Sequence, residues 1–344
     1  MKPITIIGGG LAGLTLGIAL RKRQIPTTIV EAGHYPRHRV CGEFVNGRGN
    51  EVLDRLGLRE VLIRRGARTA ITGCFFSGVG PSPVRPLPQP ALCLSRYAMD
   101  ALLANAFLAD GGILRANTRN EVSDCPDGTV RATGRRRQAS ENGWRWFGLK
   151  VHARNVPLAA DLEMHILPNG YVGLCRLSEN EVNVCGLFRR RTSTGESSRA
   201  WRDALRGPDG SELRQRLAGA EFDESSFCSV AGLSLRPQRA IDLPECCIGD
   251  ALTMTPPVTG NGMSMAFESA EFAIGPLVAY SEGKLAWPDA REAVARTCDN
   301  AFARRLACGR ALQWIMFSRL LQGWLGRVAL HSDWLWQVLF ANTR

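Results

Sequence analysis

The chain has 344 residues, of which 45% are apolar and 22% charged. That composition excludes a disordered, collagen-like or fibrous protein, and the length suits two domains or one large interwoven one. The formal net charge of +11 comes almost wholly from arginine, since Lys2, Lys22, Lys150 and Lys284 are the only lysines. Such a balance can mark a nucleic-acid or anionic-membrane partner. Here the arginines are spread along the chain, with short runs only at Arg135–Arg137 and Arg189–Arg191. A diffuse solvated basic surface is expected, and a nucleic-acid partner is not favoured. Eleven cysteines show no Cys-x-x-Cys spacing, and Cys246 and Cys247 are adjacent. We read no metal site and no disulfide framework from them; reduced thiols in a cytoplasm fit best.

Ile4-Thr5-Ile6-Ile7 predicts a buried parallel strand, Leu14 to Arg23 a helix and Pro26 to Val30 a second strand. Between the first two lies Gly8-Gly9-Gly10-Leu11-Ala12-Gly13. In this strand–turn–helix–strand setting a Gly-x-Gly-x-x-Gly run reads as a dinucleotide site. Gly8 permits the tight turn, Gly10 lets a pyrophosphate approach the backbone, and Gly13 lets helix and strand pack closely. The helix start offers free N–H groups and a positive dipole end to phosphates, and Leu11 and Ala12 within the glycine run are further cofactor-binding candidates. Glu31, followed by Ala32, ends the second strand, where a carboxylate can accept both ribose hydroxyls of an adenosine and disfavours a 2′-phosphate.

Further on, Ser95 is a candidate N-cap for a helix through Asp100, Leu102 and Leu103. Pro81 to Pro90 is too proline-rich for a central strand and reads as a loop or sheet edge. Strand-like alternation recurs at Phe147–Ala153, Leu162–Leu167, Gly170–Leu177 and Val182–Leu187. In Leu162–Leu167, apolar Met164 and Ile166 alternate with Glu163 and His165, and His165 is expected to face solvent.

A second glycine-bearing stretch lies more than two hundred residues after the first. Cys246 to Ala251 reads as a strand ending in Gly249-Asp250; Pro257, Gly260, Asn261, Gly262 and Met263 form a loop, and Ser264 to Tyr280 a helix. An Asp at a strand end suits a ribityl hydroxyl. Two glycines let the loop pass close to a flat ring, and the helix start points N–H groups at the ring's electron-accepting edge. After Trp287-Pro288 the chain reads as helical, with Leu312, Ile315, Met316, Leu320, Trp324 and Val328 at helical spacing. Trp314, Trp324, Trp334 and Trp336 supply aromatic surface, with Arg304, Arg305, Arg310, Arg319 and Arg327 between them. Such a segment is expected to cap the substrate domain or to rest at a membrane interface. The stretch from Ala311 to Leu330 is too broken by polar residues to span a membrane.

With these segments in view, the sequence resembles the FAD-dependent oxidoreductases of the p-hydroxybenzoate hydroxylase fold, nearest the geranylgeranyl reductase family. The resemblance rests on Gly8 to Glu31, on Arg37-His38-Arg39-Val40-Cys41-Gly42-Glu43, on Ser95 to Asp100 and on Gly249-Asp250 through Met263. It implies an α/β fold in which a Rossmann-like FAD-binding domain (1–70, 90–140 and 240–300) is interleaved with an antiparallel-sheet substrate domain (70–90 and 141–240), followed by C-terminal helices over 301–344. It implies that Arg96 helps hold the flavin nucleotide and that Arg39, Cys41 and Gly42 pass beside the flavin ring. Cys41 and Tyr171 are then the residues expected nearest the substrate. NADPH or NADH is the expected external donor, and a hydrophobic isoprenoid- or polyketide-like molecule the expected substrate. A carbon–carbon double-bond reductase is the preferred activity. A monooxygenase that hydroxylates or epoxidises is the alternative, and a nucleic-acid-associated flavoprotein a weaker one. The chain departs from the reductases at Gly170 to Arg176, which keeps only Tyr171 of a Tyr-x-Trp-x-Phe-Pro motif. It departs from the monooxygenases at Val130 to Arg135, which lacks their Asp-Gly. Trp144-Arg145-Trp146 is similar to the tryptophan pair of flavin halogenases, but Phe147-Gly148-Leu149 does not continue that motif, and the match reads as chance.

Overall fold

A computed structural model describes residues 1–119, 125–135, 140, 143–191, 201–236, 238–318, 321–323 and 331–343. The expected arginines at 136 and 137, and Arg319, Leu320, Trp324, Arg327 and Val328, lie outside the described residues. The chain begins with β1 (Ile4–Ile7), α1 (Leu11–Arg21), β2 (Thr27–Val30), β3 (Phe44–Val45), α2 (Arg48–Arg55) and α3 (Arg59–Arg64). It continues with β4 (Arg68–Ser77), β5 (Gly80–Pro81), β6 (Arg85–Cys93), α4 (Arg96–Ala109), β7 (Ile113–Arg115) and β8 (Thr129–Arg131). Then come β9 (Trp144–Arg154), β10 (Leu162–Leu167), β11 (Gly170–Arg176), β12 (Val182–Arg191), α5 (Trp201–Arg206), α6 (Glu212–Arg216) and β13 (Glu221–Ala231). Last are β14 (Cys246–Cys247), α7 (Gly262–Ser281), α8 (Trp287–Phe317) and a terminal helix, Asp333–Thr343.

These elements build two sheets. The first has five parallel strands in the order β14-β8-β1-β2-β7. Its middle strand is β1, whose Ile4 and Ile6 are fully buried, as expected for a strand covered on both faces. Helix α1 is apolar nearly all round and is correspondingly buried between α4 and α7. The second sheet has nine strands, with the path β13-β9-β12-β11-β10-β4-β6-β3 and β5 paired to β4. It is antiparallel except where β10 runs parallel to β4. It draws Phe44–Val45 and Arg68–Ser77 from early in the chain, so the two sheets share the N-terminal third.

Several boundaries differ from expectation. Helix α1 starts at Leu11, directly after Gly10, because the glycine turn itself leads into the first helical residue. Helix α7 likewise starts at Gly262. The strand expected to reach Gly249-Asp250 is only two residues long, and Gly249–Ala251 forms a 3₁₀ turn. The proline-rich stretch is neither wholly loop nor central strand. Along β6 one side pairs with β4, while the other meets only the two residues of β3, so a run with three prolines sits at a sheet edge. Ser95 caps α4 as expected, accepting from the Ala98 N–H at 3.2 Å.

The sharpest correction concerns β10. Glu163 and His165 are buried, and Met164 and Ile166 are the half-exposed residues. His165 stacks on Phe76 with ring centroids 4.4 Å apart and meets Glu163 at 3.0 Å, and Arg216 of α6 reaches Glu163 at 2.8 Å. The polar face is buried because α5 and α6 cover it, with Leu205, Leu213 and Leu217 in its core. The apolar face instead lines a cavity. Periodicity reports two faces; it does not say which of them is covered.

Candidate functional site

A cavity of about 700 Å³ lies between the parallel sheet, the inner face of the nine-stranded sheet and α8 with the terminal helix. Its volume is within the range of ligand and cofactor sites. Gly8, Gly10, Leu11, Ala12, Glu31 and Ala32 line one end. Arg39, Cys41, Gly42 and Arg96 line its side, and Gly249, Asp250, Pro257, Gly260, Gly262 and Met263 the opposite wall. Tyr171 lies on the sheet side. Two of the expected residues are not on the wall. Gly13 packs behind the turn, where a Cβ would come within 2.0 Å of the Gly8 carbonyl oxygen, and Asn261 is buried between two wall glycines.

The glycines differ in what surrounds them. Gly8 has φ +109°, and a Cβ there would meet the Ala132 carbonyl at 2.3 Å, so only glycine makes that turn. Gly10 and Gly262 are the reverse case. A Cβ at either would meet nothing within 4 Å, and both sit at helix starts facing the cavity. The first turns of α1 and α7 therefore aim unsatisfied backbone N–H groups and positive dipole ends into one space. An open cradle of this kind fits a bound anionic group that presses on the main chain.

Glu31 lies at the glycine-turn end of the cavity. Its Oε2 accepts from Gly9 N–H and its Oε1 from Gly33 N–H, both at 2.8 Å, and Arg37 lies at 2.6 Å from Oε1. Burial would raise this carboxyl, but the two amides and Arg37 outweigh it and hold Glu31 below the usual range. A carboxylate has about four acceptor sites. Three are used, so room remains for roughly one ribose hydroxyl rather than the expected two. Arg96 makes a bidentate pair with the fully buried Asp100 at 2.6 and 2.8 Å, and Arg39 reaches the same carboxylate at 3.2 Å. Two guanidiniums on one carboxylate leave a net positive cavity wall, suited to phosphate.

On the sheet side the register sets the rows. Ile166, Tyr171, Leu187 and Gly148 lie abreast; Phe75, Met164, Gly173 and Cys185 form the next row. All eight line the cavity. Leu312 and Met316 of α8, with Trp336 and Phe340 of the terminal helix, close it from the other side. The C-terminal region thus covers the pocket. Trp336 is buried, contrary to its expected place on the surface, while Trp314 and Trp334 are 68% and 69% exposed. No described helix is long and apolar enough to cross a membrane.

Tyr171 is 5% exposed, and among the described residues its hydroxyl has no hydrogen-bond partner. Burial drives its hydroxyl well above the ordinary tyrosine value. Burial also raises the Cys41 thiol, against the pull of Arg96. Both groups therefore stay protonated at neutral pH, available as donors and not as bases or nucleophiles. Sequence reasoning missed parts of the opposing wall: the small residues Gly148 and Gly173 and the roofing residue Phe340. Nothing in their local sequence distinguishes them from ordinary strand and helix positions.

Comparison with known proteins agrees with this geometry. Residues 1–141 match the FAD binding domain family. Among curated proteins nothing matches. The flavin-dependent brominase Bmp2 is similar in structure, with a TM-score of 0.77 at 17% identity, over 99% of this chain and 94% of that one. A flavoprotein/dehydrogenase from Cytophaga hutchinsonii has a TM-score of 0.73 at 15% identity, covering 92% and 86%. PqsL of P. aeruginosa, in complex with 2-aminobenzoylacetate, has a TM-score of 0.71 at 16% identity, covering 94% and 99%. Residues 1–141 thus match an FAD binding domain, and the whole chain shares the fold of these structures, with a parallel-sheet Rossmann-like half and a large mixed sheet that together enclose the cavity.

Proposed function

We propose that this protein is an FAD-dependent oxidoreductase of the monooxygenase type, acting on a hydrophobic small molecule held between the cofactor and the large sheet. The observation that carries the reading is one continuous cavity, polar and glycine-lined at the dinucleotide end and apolar at the sheet end. The shared fold with a brominase and with PqsL favours oxidative chemistry over the double-bond reduction expected from sequence resemblance. FAD, when bound, supplies the electron transfer and the reaction with dioxygen. The glycine turn and the start of α1 would hold its pyrophosphate, Glu31 its adenosine, Arg39 and Arg96 its phosphates, and the Gly249–Met263 segment its ribityl chain and ring. NADH or NADPH is the donor in this reading. Phe75, Met164, Leu187, Leu312 and Met316 exclude water, and the Tyr171 hydroxyl donates a hydrogen bond to an acceptor on the substrate.

The test is oxygen uptake by the FAD-loaded protein with a reduced nicotinamide and a panel of planar apolar compounds, with isotopic oxygen traced into product. Incorporated label is the expected result. Anaerobic oxidation of the reduced protein by an alkene, with no label in the product under oxygen, would refute the oxygenase assignment. That outcome is the second reading, favoured by the position of Cys41 and Gly42 on the cavity wall and by the Val130–Arg135 segment, which lacks an Asp-Gly. Tyr171→Phe separates substrate binding from cofactor binding in either case. It removes one neutral hydrogen bond worth about 0.5–1.5 kcal/mol, so KM should rise roughly 2- to 12-fold with FAD affinity unchanged. An unaltered KM would show that the hydroxyl does not touch substrate.

A further inference from the structure

One buried cluster is not used by the chemistry above. The row of Gly173 and Cys185 continues across the sheet to Lys150 and Cys228, and the next row runs through Asn183 and His152 to Asp223. At this end the inner face is covered not by cavity but by the segment from His38 to Phe44. Glu43 and Lys150 are fully buried, and Lys150 Nζ lies 3.3 Å from Glu43 Oε1. Lys150 also donates to His38 Nδ1 at 3.0 Å. His152 meets Glu43 Oε2 through Nε2 at 2.7 Å and Glu181 through Nδ1 at 3.0 Å. Asn183 donates to the Cys41 carbonyl at 2.9 Å, and the Arg96 N–H donates to Glu43 at 2.9 Å.

With both ring nitrogens facing carboxylates, His152 must donate from both and is therefore an imidazolium. Lys150 and His152 balance Glu43 and Glu181. Buried ion pairs seldom stabilise more than packed apolar residues would, and their best-attested use is to specify one arrangement. The arrangement specified here is that of a single loop. Glu43 itself sits at φ +62°, an uncommon backbone for a non-glycine residue. Immediately before it, Arg39 to Gly42 form the cavity side wall.

We propose that Lys150 and His152 are positioning residues which, through Glu43, latch the Arg39–Gly42 segment in the wall of the cofactor cavity, so that FAD affinity and the potential of the bound flavin are set from the substrate-side sheet. This rests on FAD occupying the cavity. His152 makes the latch sensitive to pH. The groups facing it are Glu43 on the loop, Glu181 before β12, Lys150 on its own strand, His38 edge-on at 5.2 Å, and Asp223 on β13. Burial opposes its protonation, but the Glu181 and Glu43 carboxylates outweigh burial and raise it above the ordinary value of 6.5. Its contribution is full below that ordinary value and is lost as pH rises through the raised one. FAD affinity should therefore weaken from neutral towards alkaline pH.

Two variants test the latch by flavin-fluorescence titration, dye-linked potentiometry and thermal melting. The pair Glu43→Gln with Lys150→Met removes one charge of each sign, so no buried ion is stranded. It should melt close to wild type yet bind FAD about 10- to 100-fold more weakly, the range seen when outer supports of metal ligands are lost. Its bound flavin should also have a shifted potential. His152→Gln keeps an N–H for Glu43 but cannot ionise, and should flatten the pH dependence of FAD binding. The proposal is overturned if the pair binds FAD within about twofold of wild type with an unmoved potential. It is equally overturned if wild type and His152→Gln share one pH profile. Wild-type protein that takes up no FAD at any pH would instead sink the cofactor assignment itself, and the latch with it.

Discussion

Gly10→Val should abolish FAD binding while leaving the protein folded. The position has φ −87° and ψ −170°, a backbone any residue adopts, and its Cβ would project into open cavity. The substitution costs the fold only the modest difference between glycine and valine as an N-cap, about 1 kcal/mol, or a few degrees of melting temperature. The cofactor meets two methyl groups where it needs the first N–H groups of α1. Losing a charge-assisted contact at about 2–3 kcal/mol, with added steric exclusion, predicts at least a 100-fold rise in Kd. Gly13→Val is the control with the opposite signature. Its Cβ would collide with the backbone oxygen of Gly8, so it should fail to fold. A Gly10→Val protein that stays yellow after dialysis would place the dinucleotide elsewhere.

Arg305→Met should cost about 3–5 kcal/mol of stability. Arg305 on α8 makes a bidentate pair with Glu268 on α7, at 2.8 and 2.7 Å, and both residues are buried. Removing the cation alone leaves an uncompensated carboxylate between the two helices that support the second glycine loop. Glu268→Leu combined with Arg305→Met removes both charges and should recover most of the loss, since a buried pair is often no better than packed apolar side chains. Urea denaturation of the two proteins distinguishes these outcomes. Equal destabilisation by the single and double changes would mean that the pair contributes through packing rather than charge.

The strand–turn–helix geometry of the parallel-sheet half was readable because it is local. Gly8, Gly10 and Gly13 act through their own backbone and through the helix they begin, and Glu31 through the strand it ends. Apart from the Ala132 carbonyl that faces Gly8, the constraints there span about two dozen residues. The second glycine loop was readable for the same reason, as a strand end followed by a helix start. Arg39, Cys41, Gly42 and Arg96 came only from family resemblance, since nothing in their spacing marks a wall.

The local sequence determined the two glycine-bearing turns, the helices that follow them and the Ser95 cap, because glycine geometry and capping depend on adjacent residues. Tertiary structure decided which face of β10 is covered, which carboxylate Arg96 and Arg39 share, and that Lys150 and His152 converge on Glu43 from a distant part of the chain, with Glu181 on the other side of His152. It also decided that the C-terminal helices roof the cavity. Those outcomes depend on strand register and on what packs over each face, and contacts between residues a hundred positions apart leave no periodic trace in either segment.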